Sequence, residues 1–197
     1  MKTKIATIAV LCASIALLTA QAAPLQKGKE KEKGKKAADQ PPLPKHAVCV
    51  VMPTEGNQCK GVVHFDVAKP KKVKVTAKIS GLKPNAKHAI HIHEFGDTTD
   101  FSGKSAGGHF NPTDKPHGLP PNEDRHAGDL GNLTADENGE ATYELVVDNI
   151  SIARRNNGII GRAIVVHALE DDGGQPTGNA GARIGFGVIG IANKEAK

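Results

Sequence analysis

Between residues 46 and 191 apolar and polar residues alternate with a period of two, in runs of five to eight. The runs are Val48 to Met52, Val62 to Val67, Val73 to Ile79, Ala89 to Phe95, Ala141 to Val147, Ala163 to Ala168 and Ile184 to Ile191. Val, Ile and Thr dominate them, and Gly, Pro, Asn and Asp fill the gaps. That is the pattern of short strands joined by turns. No stretch carries a 3.6-residue period. The expected fold is therefore all-β, a sandwich or barrel.

One gap breaks the rhythm. From Gly96 to Gly131 there is little strand character. A loop that long needs something besides hydrogen-bonded structure to hold it. It contains His109, His117, His126 and Asp129, which together make one complete tetrahedral donor set for zinc. Nearby, His91 and His93 stand at i and i+2 in a strand, so both rings leave the same face. His167 ends the apolar run Ile164-Val165-Val166.

Composition changes the picture at the N-terminus. Lys2 and Lys4 precede an apolar run from Ile5 to Ala20, and Ala20-Gln21-Ala22 fits a small-x-small cleavage site. Residues 1–22 read as a secretory signal peptide too short for a stable span. The expected location is exported, periplasmic or extracellular. Residues 23–45 read as a disordered lysine-rich linker. Its part from Lys27 to Lys45 holds seven lysines against Glu30, Glu32 and Asp39, a net +4. The signal carries +2 of the chain's total of +5, which leaves residues 46–197, the folded domain, at −1. The high pI thus belongs to the leader and linker. Nucleic acid is not an expected partner, although the linker offers electrostatic contact with an anionic surface such as lipid or polysaccharide. Cleavage would remove Cys12 and leave Cys49 and Cys59, an even pair that an oxidising compartment permits to bond. Whether they bond depends on their Cα separation. Two Asn-x-Ser/Thr triplets, at Asn132 and Asn149, are too common a pattern to predict glycosylation.

The blocks HAIHIHEFGD, SAGGHFNP, EDRHAGDLGN, IIGRAIVVH and TGNAGARIGFGVIGIA, in that order, resemble the copper/zinc superoxide dismutase family. The resemblance runs from about Lys45 to Ala192. It implies a Greek-key, immunoglobulin-like β-sandwich or barrel with a long metal-binding loop. It implies one copper on His91, His93, His109 and His167, and one zinc on His109, His117, His126 and Asp129, with His109 as the bridge. Arg183 matches the arginine that guides the anion, and Asp171 a carboxylate that orients ligands of both metals. The implied reaction has superoxide reduce Cu(II) to give oxygen. A second superoxide then reoxidises Cu(I) to give hydrogen peroxide, with the bridging histidine as proton donor. The GVIGIA segment and Ile159-Ile160-Gly161 resemble the surface through which relatives form homodimers.

Two departures stand out. The cysteines that tie the family's metal loop to its last strand fall at Gly103 and Phe186 here. Metal binding is then expected to carry more of the loop's order. The loop after His167, ALEDDGGQPTGNAGAR, is a shortened electrostatic loop, and Glu170, Asp171 and Asp172 are expected to weaken the field that draws in superoxide.

Overall fold

A computed structural model describes residues 42–193 except 70 and 155. The expected signal peptide and most of the linker lie outside the described residues. The strands are β1 (His46–Pro53), β2 (Lys60–Lys69), β3 (Lys72–Ser80), β4 (Lys87–His93), β5 (Asp129–Thr134), β6 (Ala141–Val147), β7 (Ala163–His167) and β8 (Arg183–Ile191). All pair antiparallel, in the spatial order β5-β4-β7-β8-β1-β2-β3-β6. β1, β2 and β3 are successive hairpin partners. The chain then leaves β3 for β4 and β6 for β7, neither of them an adjacent strand, which makes the connectivity Greek-key. The result is a nearly closed barrel.

The alternation read from the sequence is the inside–outside alternation of the barrel. Val73, Val75, Ala77 and Ile79 of β3 point inward against Val63 and Phe65 of β2. β4 and β7 are buried on both faces. Ile90, Ile92, Ile164 and Val166 enter the core. His91, His93, Val165 and His167 therefore share the opposite face, which the loop after β4 covers. Phe110 N–H donates to Ile92 O (2.8 Å), and Gly128 N–H donates to Phe110 O (2.9 Å).

Two expectations need correction. The strandless span ends earlier than expected, because β5 begins at Asp129. Asp129, Gly131 and Asn132 are turn-forming types, and only pairing with β4 makes them a strand. Cys49 and Cys59 are free, buried thiols and not a disulfide. The hairpin register sets Cys49 opposite Val63 and Val51 opposite Gly61. Cys59 is then four residues along from the partner of Cys49, roughly 13 Å at strand rise, beyond the reach of a disulfide. The sulfurs pack instead over separate glycines of β8. A Cβ at Gly187 would meet Cys49 Sγ at 2.9 Å, and one at Gly185 would meet Cys59 Sγ at 2.7 Å. Burial pushes both thiols up to about 12.

Candidate metal centre

β4 delivers His91 and His93, the end of β7 delivers His167, and the covering loop adds His109, bridged to His93 through the backbone. All four are buried. His93 Nδ1 donates to Gly107 O (2.9 Å) and His167 Nδ1 to Gly181 O (3.3 Å). Those bonds orient the rings, so that the two Nε2 atoms face each other at 3.4 Å. His91 uses Nε2 on Asp171 Oδ2 (2.8 Å), and its Nδ1 is buried without a partner. The lone pairs left over converge on one point.

The second cluster lies against the first. His109 Nδ1 and His126 Nδ1 are 3.4 Å apart, and Asp129 Oδ1 is 2.9 Å from the former and 3.1 Å from the latter. His117 Nδ1 lies 3.0 Å from Asp129 Oδ2. A zinc–nitrogen bond of about 2.0–2.1 Å gives a tetrahedral edge of about 3.3–3.4 Å. The spacing of the two imidazole nitrogens is that edge. The ligand atoms of each cluster lie within 4.8 Å of one another, and His109 belongs to both.

Asp171, fully buried, spans the clusters. Its Oδ1 is 2.9 Å from His117 Nε2 and its Oδ2 2.8 Å from His91 Nε2. Gly178 lets it do so. At φ 75°, a Cβ there would come within 2.0 Å of Asp171 Oδ1 and 2.7 Å of His117 Nε2. Two amides that the sequence did not mark as site residues hold the frame. Asn132 Nδ2 donates to Asp171 O (2.9 Å), and Asp171 N–H donates to Asn132 Oδ1 (2.7 Å). Gln175 Nε2 donates to His117 O (2.8 Å), and His117 N–H donates to Gln175 Oε1 (3.1 Å). His88, also not foreseen, donates from Nδ1 to His167 O (2.9 Å). Neither amide has a local signal, since each meets its target from a distant part of the chain.

Burial lowers His93 to about 2, His167 to about 3 and His91 to about 4, so these rings are neutral donors at physiological pH. Burial would also lower His117, but Asp129 and Asp171 on either side raise it to about 9. Burial opposes ionisation of Asp129 and Asp171, yet their histidine bonds outweigh it and hold both carboxyls well below the usual range. The neutral imidazoles of the first cluster, and the imidazoles of the second beside the ionised Asp129, make donor sets for divalent cations, with a cation at the second cluster taking the place of the His117 proton. Borderline-soft nitrogen ligands suit copper and zinc.

Arg183 stands beside the first cluster. Its guanidinium donates to Gly103 O (2.5 Å) and Gly107 O (2.6 Å), and Thr54 Oγ1 donates to Arg183 O (2.8 Å). A groove of about 590 Å³ opens there, walled by Thr54, Ser102, Lys104 and Arg183. Gly103 and Phe186 are neighbours, since a Cβ on Gly103 would lie 3.6 Å from Phe186 Cγ. Phe186 packs with Ala106, Ala163 and Val165, so an apolar contact clamps the loop to β7 and β8. The loop therefore has anchors that do not involve metal. The acids after His167 are also engaged. Glu170 pairs with Lys87 (2.6 Å), and Asp172 accepts from Gly174 N–H (2.8 Å) and Asn179 Nδ2 (3.1 Å).

A nearly closed antiparallel barrel with two imidazole-rich sites sharing one histidine defines a dinuclear metalloprotein. Residues 59–189 match the family model described as copper/zinc superoxide dismutase. The chain is 52% identical over 142 residues to "Superoxide dismutase [Cu-Zn]" of Paramecium bursaria Chlorella virus 1, covering 68% of this chain and 74% of the relative. It is 44% identical over 154 residues to "Superoxide dismutase [Cu-Zn] 5" of Dictyostelium discoideum, covering 74% and 97%. Among solved structures it resembles the clock protein EA4, with TM-score 0.71 and 41% identity over 78% of this chain and 98% of that one. The chain belongs to the copper/zinc superoxide dismutase family. It is an oxidoreductase acting on superoxide, with copper and zinc as its metals.

Proposed function

We propose that the chain dismutes superoxide outside the cytoplasm. In this reading His91, His93, His109 and His167 hold copper, and His109, His117, His126 and Asp129 hold zinc. The observation that carries it is the double membership of His109. When bound, copper supplies a one-electron couple that superoxide can reduce and reoxidise, while zinc supplies charge and order without redox chemistry. The protein's own part is positioning and proton supply. His109 keeps Nδ1 beside Asp129 (2.9 Å), which leaves Nε2 as the atom that takes up a proton and gives it to the developing peroxide. Two superoxide ions and two protons thus become one oxygen and one hydrogen peroxide. Arg183 holds a permanent charge next to His93, and its fork pairs with a small anion. Asp171 keeps His91 and His117 turned toward their clusters.

Metal analysis of the purified protein with a superoxide assay tests this reading. One copper and one zinc per chain, with activity, is the expected result. Zinc alone after copper loading, without activity, would overturn it.

Export rests on Met1 to Ala22, and mass spectrometry of the recovered protein should find an N-terminus near Ala23. A homodimer is supported by the outer face of β1 and β8. The register brings Val50 level with Val188, and Val50, Met52 and Val188 are 56%, 58% and 40% exposed. Ile159 and Ile189, expected on that surface, are core residues. Sedimentation should give a dimer that Val50→Glu dissociates.

A further inference from the structure

At the end of the barrel away from Arg183, an apolar groove of about 360 Å³ lies between the lead-in to β1, the turn from β2 to β3 and the segment after β6. Its floor is Val73, Ile150 and Ile152, each at most 2% exposed. Leu43 and Val67 stand at its edge, 61% and 44% exposed. Four cations ring it: Lys45, Lys71, Lys72 and Arg154. No carboxylate lines it, and among the described residues none of the four side chains has an acidic partner. The acids on neighbouring strands are already paired, Asp66 with His46 (2.5 Å) and Glu144 with Lys74 (2.8 Å). The groove also lies where the lysine-rich sequence enters the domain, and that sequence carries a net +4 between Lys27 and Lys45.

We propose that this groove is a docking site for an anionic lipid surface. The occupant must offer negative charges and an apolar part side by side. Lipid headgroups neutralise the ring of cations, while Leu43 and Val67 reach the acyl boundary. A sulfated polysaccharide would use the cations and leave the exposed apolar edge, Leu43 and Val67, idle. The lysine-rich sequence adds the second signal that reversible membrane attachment needs. The groove shares no residue with the metal clusters or with Arg183, so docking leaves the site on the other end of the barrel open to superoxide.

Sedimentation of the metal-loaded protein with vesicles tests the proposal. One set is phosphatidylcholine mixed with phosphatidylglycerol, the other phosphatidylcholine alone. Residues before Pro42 are the same in every variant, so their contribution cancels. The protein should bind the mixed vesicles and not the neutral ones. Lys71→Ala, Lys72→Ala and Arg154→Ala combined should weaken binding on the order of a hundredfold, at about fivefold per cation. Leu43→Ser with Val67→Ser should weaken vesicle binding and leave retention on a sulfated polysaccharide column unchanged. Superoxide activity should stay at the parent level in both variants. Three outcomes would overturn the proposal. They are unchanged binding in the triple variant, equal binding to neutral vesicles, and retention by the polysaccharide without binding to either vesicle.

Discussion

Gln175 touches no ligand atom, yet its amide closes a two-way clamp on the main chain of His117. Gln175→Ala removes both hydrogen bonds. Each contributes about 1 kcal/mol net, and the side chain is exposed, so the loss should be about 1–2 kcal/mol. It bears on the loop that presents His117, which converts it to roughly a five- to thirtyfold loss of zinc affinity. Competition with a chromogenic chelator would read this directly, and cobalt placed in the zinc site would report the ligand geometry through its visible bands. Gln175→Glu keeps the acceptor for the His117 N–H and loses the donor to the His117 carbonyl, so it should fall between the parent and Gln175→Ala. Copper content should stay at the parent level, because His91, His93 and His167 are not clamped. Zinc affinity within twofold of the parent would refute the reasoning. So would an equal stability loss with and without metal, since that would make the clamp a general brace.

Other consequences follow from the same geometry. Gly178→Ala should weaken retention of both metals, by about tenfold or more, because its Cβ would displace the carboxylate that orients His91 and His117; metal content after dialysis measures it. Lys104→Glu should lower kcat/KM a few-fold at low salt, with the difference shrinking at high ionic strength, because its charge faces the groove beside Arg183. The family is itself a standard example of such steering, so the informative result is the salt dependence at this residue. The metal-free protein should lose stability on acidification. The folded-state values of His91, His93 and His167 lie below that of a free histidine, so the unfolded chain binds more protons from about pH 6.5 down to about 4. The slope should approach about 4 kcal/mol per pH unit in urea titrations, and a flat profile across that window would contradict it. His117 acts in the opposite sense. Its raised value adds stability below about pH 6.5 that is lost as pH rises through about 9.

The linear sequence determined the strands, the ligand types and the face they share. Period-2 alternation, and for β7 a short apolar run, placed β1 to β4 and β6 to β8 within a few residues of their observed ends, because a half-buried strand alternates whatever its partner and a strand buried on both faces is apolar throughout. It likewise put His91 and His93 on one side of β4. What it left undecided are contacts between residues far apart in the chain. β5 is a strand only because β4 pairs with it. Cys49 and Cys59 look like a disulfide pair until the register separates them. Gly103 and Phe186 look like a missing tether until they are seen packed together. Glu170, Asp171 and Asp172 look like a repelling cluster until Lys87, His91, His117 and Asn179 engage them. Asn132 and Gln175 each reach their targets across the fold. Burial and hydrogen bonding at these positions depend on which distant segment arrives beside them, and only the folded chain brings those segments together.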